Sequence, residues 1–236
     1  MVICSISDIG KHRKTNDDFS YYDEHKGLLL MADGMGGYAG GGVASSLAAQ
    51  IFSDHFTTVG EETYRDDLTD LFRLCNDEIV AAAKQDQRYR DMGTTLTVLV
   101  ALKDRYYIGH VGDSRAYLMR NGRLKCLTED HNMVTKLLKT GQISEKEAKK
   151  HPGKSMLTRV IGRNPMCGID FYDGDLETDD MIFLCTDGIS GYLLDKEIST
   201  LLRKNENIED ILHHVVKKVL DRGGEDNITA ILAKNC

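Results

Sequence analysis

The chain has 236 residues, of which 41% are hydrophobic and 28% are charged, and this composition can bury one sizeable core. Its 37 acidic and 30 basic residues give a formal charge of −7, which disfavours nucleic acid or an anionic membrane as the principal partner. No apolar run approaches the ~20 residues of a membrane span, and the first residues lack a secretory signal. We therefore expect one domain over residues 1–236, soluble and cytoplasmic.

The first part of the chain predicts strands followed by helices. Short β-rich runs cover Val2–Ile9, Phe19–Tyr22 and Leu28–Ala32. After a glycine-rich run, a helix is predicted over Val43–Phe56, and apolar residues at helical spacing predict a second helix around residues 68–82. Two long helices should therefore pack in succession.

The second half begins with a different pattern. Four short β-rich runs separated by turn residues predict an antiparallel meander over residues 94–127. The lysine-rich stretch of residues 131–154 predicts short helices in an inserted flap. Beyond it, Met181–Cys185 and Ile228–Ala233 predict strands, separated by a helix that Asn207 caps and two glycines end.

Strands at both ends of the chain, with helices in the gaps, favour antiparallel sheets covered by helices over an alternating parallel α/β design. We predict an α+β fold in which a central antiparallel β-sandwich is flanked by helices on both sides. Pairing the first strand with the last would bring five aspartates towards one end of the sandwich. They are Asp8, Asp18, Asp33, Asp187 and Asp226.

Four short acidic motifs each adjoin a predicted strand. They are Asp17-Asp18, Asp33-Gly34, Asp187-Gly188 and Asp226-Asn227. Carboxylates that are crowded together repel and raise one another's pKa, so a fold that gathers them needs divalent cations to neutralise them. A single Asp-Gly pair is usually a turn former, but the joint pattern predicts a metal site built from carboxylates.

An ordered set of motifs runs through almost the whole chain. It comprises Ser7-Asp8-Ile9-Gly10, Arg13-x-x-Asn16-Asp17-Asp18, Asp33-Gly34-Met35-Gly36-Gly37, Gly93-Thr94-Thr95, Val111-Gly112-Asp113-Ser114-Arg115, Thr186-Asp187-Gly188 and Gly224-Glu225-Asp226-Asn227. This set resembles the metal-dependent PPM (PP2C) serine/threonine protein phosphatases of the bacterial type. The resemblance implies a four-layer αββα fold and hydrolysis of phosphoserine and phosphothreonine.

The resemblance also implies a centre of two Mn²⁺ or Mg²⁺ ions. Asp33 would bridge the ions, and Asp187 and Asp226 would complete the protein ligands of one of them. Asp17 and the carbonyl of Gly34 would hold the other ion. A water shared by the two ions would then attack phosphorus without a phosphoenzyme intermediate.

Further residues follow from the same resemblance. Arg13 would bind phosphate through its planar fork, and Asp18 would orient metal-bound water from behind the ligands. Asp113 matches an aspartate that binds a weak third ion, but a turn between two strands explains it equally well. Some relatives place another third-site aspartate where this chain has Gly191. Asp8 is expected to form a turn rather than to bind metal.

Departures from the family pattern keep other functions open. Asp17 stands where glutamate is usual, and Tyr38 stands where many bacterial members carry histidine. With Gly191, they allow a catalytically weak PP2C-like module that binds phosphoproteins or a regulator. A hydrolase of another phosphoester is a third hypothesis, disfavoured by the negative charge and the lack of an aromatic base-stacking cluster. For the phosphatase, the expected partners are phosphorylated proteins and a cognate serine/threonine kinase, and we expect a monomer.

The flap carries residues with two interpretations. Its lysines could contact acidic phosphopeptides, but solvation of short helices is the preferred interpretation. They are Lys136, Lys139, Lys146, Lys149, Lys150 and Lys154. His131, which leads into the flap, is expected to anchor a loop by hydrogen bonds. The six cysteines include no C-x-x-C pair, so neither a disulfide framework nor a zinc site is expected, and we expect buried, reduced thiols.

Overall fold

The computed structural model describes residues 1–148, 151–204 and 206–236, and residues 37–39 by their backbone alone. Its strands form two antiparallel sheets. The first sheet contains, in spatial order, β1 (Val2–Asp8), β11 (Ile228–Lys234), β10 (Met181–Cys185), β7 (Arg115–Arg120) and β8 (Arg123–Cys126). The second contains β2 (Asp18–Asp23), β3 (Leu28–Met35), β5 (Leu96–Leu102), β6 (Arg105–Val111) and β9 (Asp170–Asp175). The short β4 (Gly93–Thr94) pairs with the end of β3.

Helices cover both outer faces. Residues of α1 (Gly37–His55) and α2 (Tyr64–Gln85) share a core with the second sheet, and residues of α6 (Asp195–Leu202) and α7 (Ile208–Asp221) share one with the first. A third core fills the space between the sheets. The short helices are α3 (Met133–Lys139), α4 (Glu145–Ala148) and α5 (Asp187–Ser190). This arrangement confirms the predicted αββα sandwich.

The alternation of side chains along β3 explains how one strand serves two cores. Leu28 and Leu30 belong to the core beneath α1 and α2, whereas Leu29 and Met31 belong to the core between the sheets. Successive side chains of a strand point to opposite faces, so a strand buried on both sides is apolar throughout. The end of this strand delivers Asp33 to the edge of the sandwich.

Pairing of the first strand with the last sets the end at which the acidic motifs meet. β1 and β11 are antiparallel neighbours, with Asp8 opposite Ile228, as the sequence predicted. In the second sheet, Asp18 lies opposite Asp33. The start of β11, the end of β10 and the β2–β3 pair therefore bring distant aspartates to one edge.

Two sequence predictions of local structure are wrong. The expected meander is two hairpins in different sheets, since β5 pairs with β6 while β7 pairs with β8, and residues 112–114 cross between the sheets. An alternating pattern predicts strands but not the sheet to which each strand belongs. Helix α1 begins at Gly37 rather than Val43, because its glycines allow close approach to neighbouring backbone despite their low helix propensity.

Several elements were not predicted, among them β9 and α6. β9 has the sequence Asp-Phe-Tyr-Asp-Gly-Asp, and α6 has only eight residues. Aspartate and glycine are uncommon in strands, so the β9 segment has a weak signal. Ion pairs of Arg105 with Asp173 and Asp175 hold this edge strand against β6.

The remaining predictions concern the flap, the thiols and the ends of α7. The flap contains α3 and α4 as expected, and Lys149 and Lys150 lie outside the described residues. Asn207 caps α7 by accepting a hydrogen bond from the N–H of Asp210 (2.8 Å). All six cysteines are free, although only Cys75 and Cys185 are buried. Within the described ranges, every helix is too short or too polar to cross a membrane.

Candidate metal centre

Three carboxylates converge at the edge where the acidic motifs meet. Asp33 lies near the end of β3, Asp113 lies between β6 and β7, and Asp187 opens α5 directly after β10. One carboxylate oxygen of each residue lies within 4.8 Å of the corresponding oxygens of the other two. These oxygens are close enough to share one cation, and they come from segments that are far apart in the chain.

The electrostatics of this cluster disfavour three negative charges. Burial and repulsion from neighbouring carboxylates raise the pKa of Asp33 and of Asp113 well above their ordinary values. Burial, with repulsion from Asp226, raises the pKa of Asp187 to about 6. A divalent cation would remove this cost, and a donor set made only of oxygen suits a hard ion such as Mn²⁺ or Mg²⁺. The residues therefore fit the implied metal.

Asp18 lies behind this cluster and is buried. Its Oδ2 accepts a hydrogen bond from the hydroxyl of Thr186 (2.8 Å), the residue immediately before Asp187. Burial raises the pKa of Asp18 to about 7. This contact links β2 to the end of β10 and fixes the orientation of the Asp18 carboxylate.

Arg13 stands at the rim of the site. Its Nη2 donates to Oδ2 of Asp226 at 2.8 Å, and about half of its side chain is exposed. Asn227 holds the loop that carries Arg13, because its side-chain amide donates to the carbonyls of Ile9 (2.9 Å) and Thr15 (3.0 Å). Its amide oxygen also accepts from the backbone N–H of Asp17 (2.9 Å).

Asp17 and Gly34 are adjacent to each other. The N–H of Gly34 donates to the Asp17 carbonyl (3.0 Å), and Oδ1 of Asp17 accepts from the N–H of Gly42 (3.1 Å). A Cβ built on Gly41 would lie 2.8 Å from the Gly34 carbonyl oxygen and 3.0 Å from Cγ of Asp17. The start of α1 therefore packs directly against the two donors that the sequence assigned to the second ion.

Comparison with known proteins places this arrangement in a family. The model of the family described as protein phosphatase 2C matches residues 7–233. The chain belongs to the protein phosphatase 2C family. It is 34% identical to the serine/threonine phosphatase stp of Listeria monocytogenes over 97% of this chain and 93% of that protein. It is 33% identical to the protein phosphatase PhpP of Streptococcus pneumoniae over 98% and 96%.

Solved structures show the same relationship. The Mycobacterium tuberculosis serine/threonine phosphatase PstP/Ppp superposes with a TM-score of 0.93 at 31% identity, covering 99% of this chain and 98% of that one. A structure of the PstP catalytic domain in complex with two manganese ions superposes with a TM-score of 0.88 at 30% identity, covering 99% and 97%. The predicted protein phosphatase 2C fold and family, and the serine/threonine phosphatase activity that the family carries, are confirmed.

Within this protein phosphatase 2C fold, the residues predicted from the sequence fall into three groups. Asp33, Asp113 and Asp187 form the tight cluster. Asp226 lies beside it and is paired with Arg13. Three further residues flank these groups: Asp17 and Gly34 contact each other, and Asp18 is bonded to Thr186. Asp8 forms a turn, in which its Oδ1 accepts from the N–H of Gly10 (2.7 Å).

Hydroxyl groups that the sequence analysis did not assign support the cluster. The N–H of Asp33 donates to Oγ1 of Thr95 (2.9 Å), and this oxygen lies 2.9 Å from Oγ of Ser114. Thr95 therefore connects the segment of one clustered aspartate to the residue that follows another. The signal available in the sequence was a hydroxyl residue next to an aspartate in two of the motifs, Thr186-Asp187 and Asp113-Ser114.

Proposed function

We propose that this chain hydrolyses phosphoserine and phosphothreonine in phosphorylated proteins with the help of bound Mn²⁺ or Mg²⁺. The observation that carries the proposal is the convergence of Asp33, Asp113 and Asp187. Burial and mutual repulsion raise the pKa values of these carboxylates, and a bound cation would relieve that repulsion. Membership of the protein phosphatase 2C family supports the substrate class.

The ligand set follows the family pattern. Asp33, Asp187 and Asp226 would hold one ion, and Asp33 would hold a second with Asp17 and the Gly34 carbonyl. Asp113 would help to hold a third, more weakly bound ion beside Asp33 and Asp187. The position of Asp113 in the tight cluster fits this role. When bound, the ions would lower the pKa of a coordinated water and offset the negative charge of the phosphoryl group.

Arg13 and Asp18 would orient the reactants. Arg13 is half exposed at the rim, and its planar guanidinium has N–H groups beyond the one bonded to Asp226, which can engage two phosphate oxygens. This contact would align the phosphoester with the carboxylate cluster. Asp18 keeps a fixed orientation through Thr186, so its carboxylate can accept a proton or a hydrogen bond in a defined direction.

We also propose that the protein acts as a monomer in the cytoplasm on proteins that a serine/threonine kinase has phosphorylated. The names of the bacterial relatives support this assignment of the substrate. The formal charge of −7 fits a protein whose site recruits cations rather than nucleic acid. A kinase partner follows from the substrate class, since phosphoserine and phosphothreonine in proteins are products of such an enzyme.

The test measures phosphate release from a phosphothreonine peptide, an aryl phosphate and nucleotides, with Mn²⁺ and after chelation. We expect release from the peptide and the aryl phosphate, loss of release with a chelator, and a loss of at least 10²-fold in Asp187→Ala. Asp66→Ala, which changes an exposed aspartate on α2, is the matched control and should be fully active. No release from any substrate would favour the phosphoprotein-binding module, and faster release from nucleotides would favour the other hydrolase.

A further inference from the structure

His131 has both ring nitrogens engaged although it lies outside the proposed ligand set. Its side chain is only 4% exposed, at the base of the flap. The backbone N–H of Gly112 lies 3.1 Å from Nδ1, and Oδ2 of Asp170 lies 3.0 Å from Nε2. The backbone N–H of His131 also donates to the carbonyl of Gly112 (2.7 Å). Two hydrogen bonds therefore connect Gly112 and His131, which are 19 positions apart in the chain.

The backbone N–H of Gly112 defines the tautomer of the ring. A backbone N–H can only donate, so Nδ1 is an acceptor, and the ring proton belongs on Nε2, where the Asp170 carboxylate accepts it. Nη1 of Arg159 also lies 3.1 Å from Nε2, but a guanidinium cannot accept a hydrogen bond from the ring. It holds the carboxylate instead, because the same Nη1 donates to Oδ1 of Asp170 (2.5 Å). Burial and the nearby Arg159 lower the pKa of His131, which favours the neutral ring. The groups around the His131 ring therefore fix its orientation.

Gly112 begins the turn that presents Asp113. Its φ is +118°, and a Cβ there would collide with the side chain of Thr95. Two residues further on, Oγ of Ser114 lies 2.9 Å from Oγ1 of Thr95. Thr95 thus contacts the turn at Gly112 and Ser114, the neighbours of Asp113, and the His131 ring accepts from the N–H of Gly112.

We propose that His131 is a positioning residue for Asp113, holding the turn of residues 112–114 so that this carboxylate stays beside Asp33 and Asp187. The inference rests on the proposed metal role of Asp113. Without the ring, the Gly112 N–H would lose its acceptor in a buried place, and the turn would have to rotate to find another. Partners that orient metal ligands contribute typically 10–100-fold to metal affinity.

The test compares Mn²⁺ binding by calorimetry in three variants and the unchanged protein. Asp113→Ala defines the binding event that depends on this carboxylate. His131→Leu removes the acceptor, and His131→Asn keeps a side-chain oxygen near the position of Nδ1 while giving up the contact with Asp170. We expect His131→Leu to weaken the same event by at least 10-fold and His131→Asn to weaken it by less than about 3-fold.

A second readout separates positioning from general destabilisation. Hydrogen exchange at the Gly112 amide should accelerate in His131→Leu and stay slow in His131→Asn. Asn76→Ala is the matched control, because Asn76 is buried and its side-chain oxygen accepts from the N–H groups of Gly162 (2.9 Å) and Arg163 (3.0 Å), away from this turn. It should lower stability and leave Mn²⁺ binding unchanged.

Each outcome decides the proposal. If Asp113→Ala binds every Mn²⁺ ion normally, the metal role of Asp113 fails and the inference fails with it. If Asp113→Ala loses an ion but His131→Leu does not, only the inference is overturned. Equal losses in His131→Leu and His131→Asn would also overturn it, since the acceptor would then be irrelevant. If His131→Leu does not fold, nitrogen-15 NMR of the unchanged protein decides, and a proton on Nδ1 of His131 would refute the proposal.

Discussion

Gly41 offers a sharp test of the proposed second metal position. It lies in the second turn of α1, where replacement by alanine would ordinarily stabilise a helix by about 1 kcal/mol. Here the new methyl group would lie 2.8 Å from the carbonyl oxygen of Gly34 and 3.0 Å from Cγ of Asp17. Gly41→Ala should therefore disturb two proposed ligands at once while improving the intrinsic propensity of the helix.

The size of the effect follows from the contact distance. An ordinary contact of a Cβ atom begins at 3.4 Å, so the Gly34 oxygen would have to retreat by about 0.6 Å. Since a misplacement of 1 Å can cost on the order of 10²-fold in rate, we expect kcat/KM to fall roughly 10-fold. Overpacking costs about 1–3 kcal/mol, and the helix gain offsets about 1 kcal/mol of it, so the free energy of unfolding should fall by no more than about 2 kcal/mol.

The assay combines Mn²⁺ calorimetry, kcat/KM for an aryl phosphate and urea unfolding. Gly40→Ala is the matched control in the same helix, because its methyl group would lie 2.7 Å from Cβ of Met92 and touch no proposed ligand. It should lower stability and leave Mn²⁺ affinity unchanged. Unaltered Mn²⁺ affinity in Gly41→Ala, with a folded protein, would refute the assignment of Asp17 and the Gly34 carbonyl to an ion.

Three further predictions concern stability. Asn227→Ala removes three side-chain hydrogen bonds in a buried place and should lower the free energy of unfolding by about 2–4 kcal/mol in urea, and a loss below 1 kcal/mol would contradict this role. Burial lowers the pKa of His110 to about 4, so the unfolded chain binds more protons between pH 4 and 6.5. This histidine's contribution to stability should therefore rise with pH across that window, and His110→Gln should flatten the rise in urea unfolding at pH 4.5 and 7. Adding Mn²⁺ at about 100 times its Kd should stabilise the protein by about 2.7 kcal/mol in thermal melts, whereas Asp33→Asn should be more stable without metal and gain less from it.

Elements with a strong local pattern were predicted from the sequence. β10 and β11 are short, mostly apolar runs, and β1 alternates apolar and polar residues in its second half. Helix α7 has an apolar stripe, an asparagine cap and two glycines after its end. These signals depend only on residues that are close together in the chain, so they can be recognised without knowledge of the fold. The acidic motifs likewise predicted oxygen donors, and the structure brings two of them, Asp33 and Asp187, close together.

Other features depend on partners that are distant in the chain. The polar edge strand β9 exists because Arg105 and the backbone of β6 pair with it. The expected meander divides between two sheets because each hairpin packs on a different core, which an alternating pattern does not specify. The contact of His131 with Gly112 is also tertiary, since the flap base has to fold back onto the turn between the sheets.

The sequence by itself determined which side chains can bind a cation, because aspartate carries its chemistry wherever it is placed. Only the tertiary structure decided which aspartates share a site. It places Asp113 within reach of Asp33 and Asp187, and it sets Asp226 against Arg13. The physical reason is that the spacing between carboxylates depends on strand pairing across more than a hundred residues, and burial at that edge raises their pKa values only once the sheets have closed.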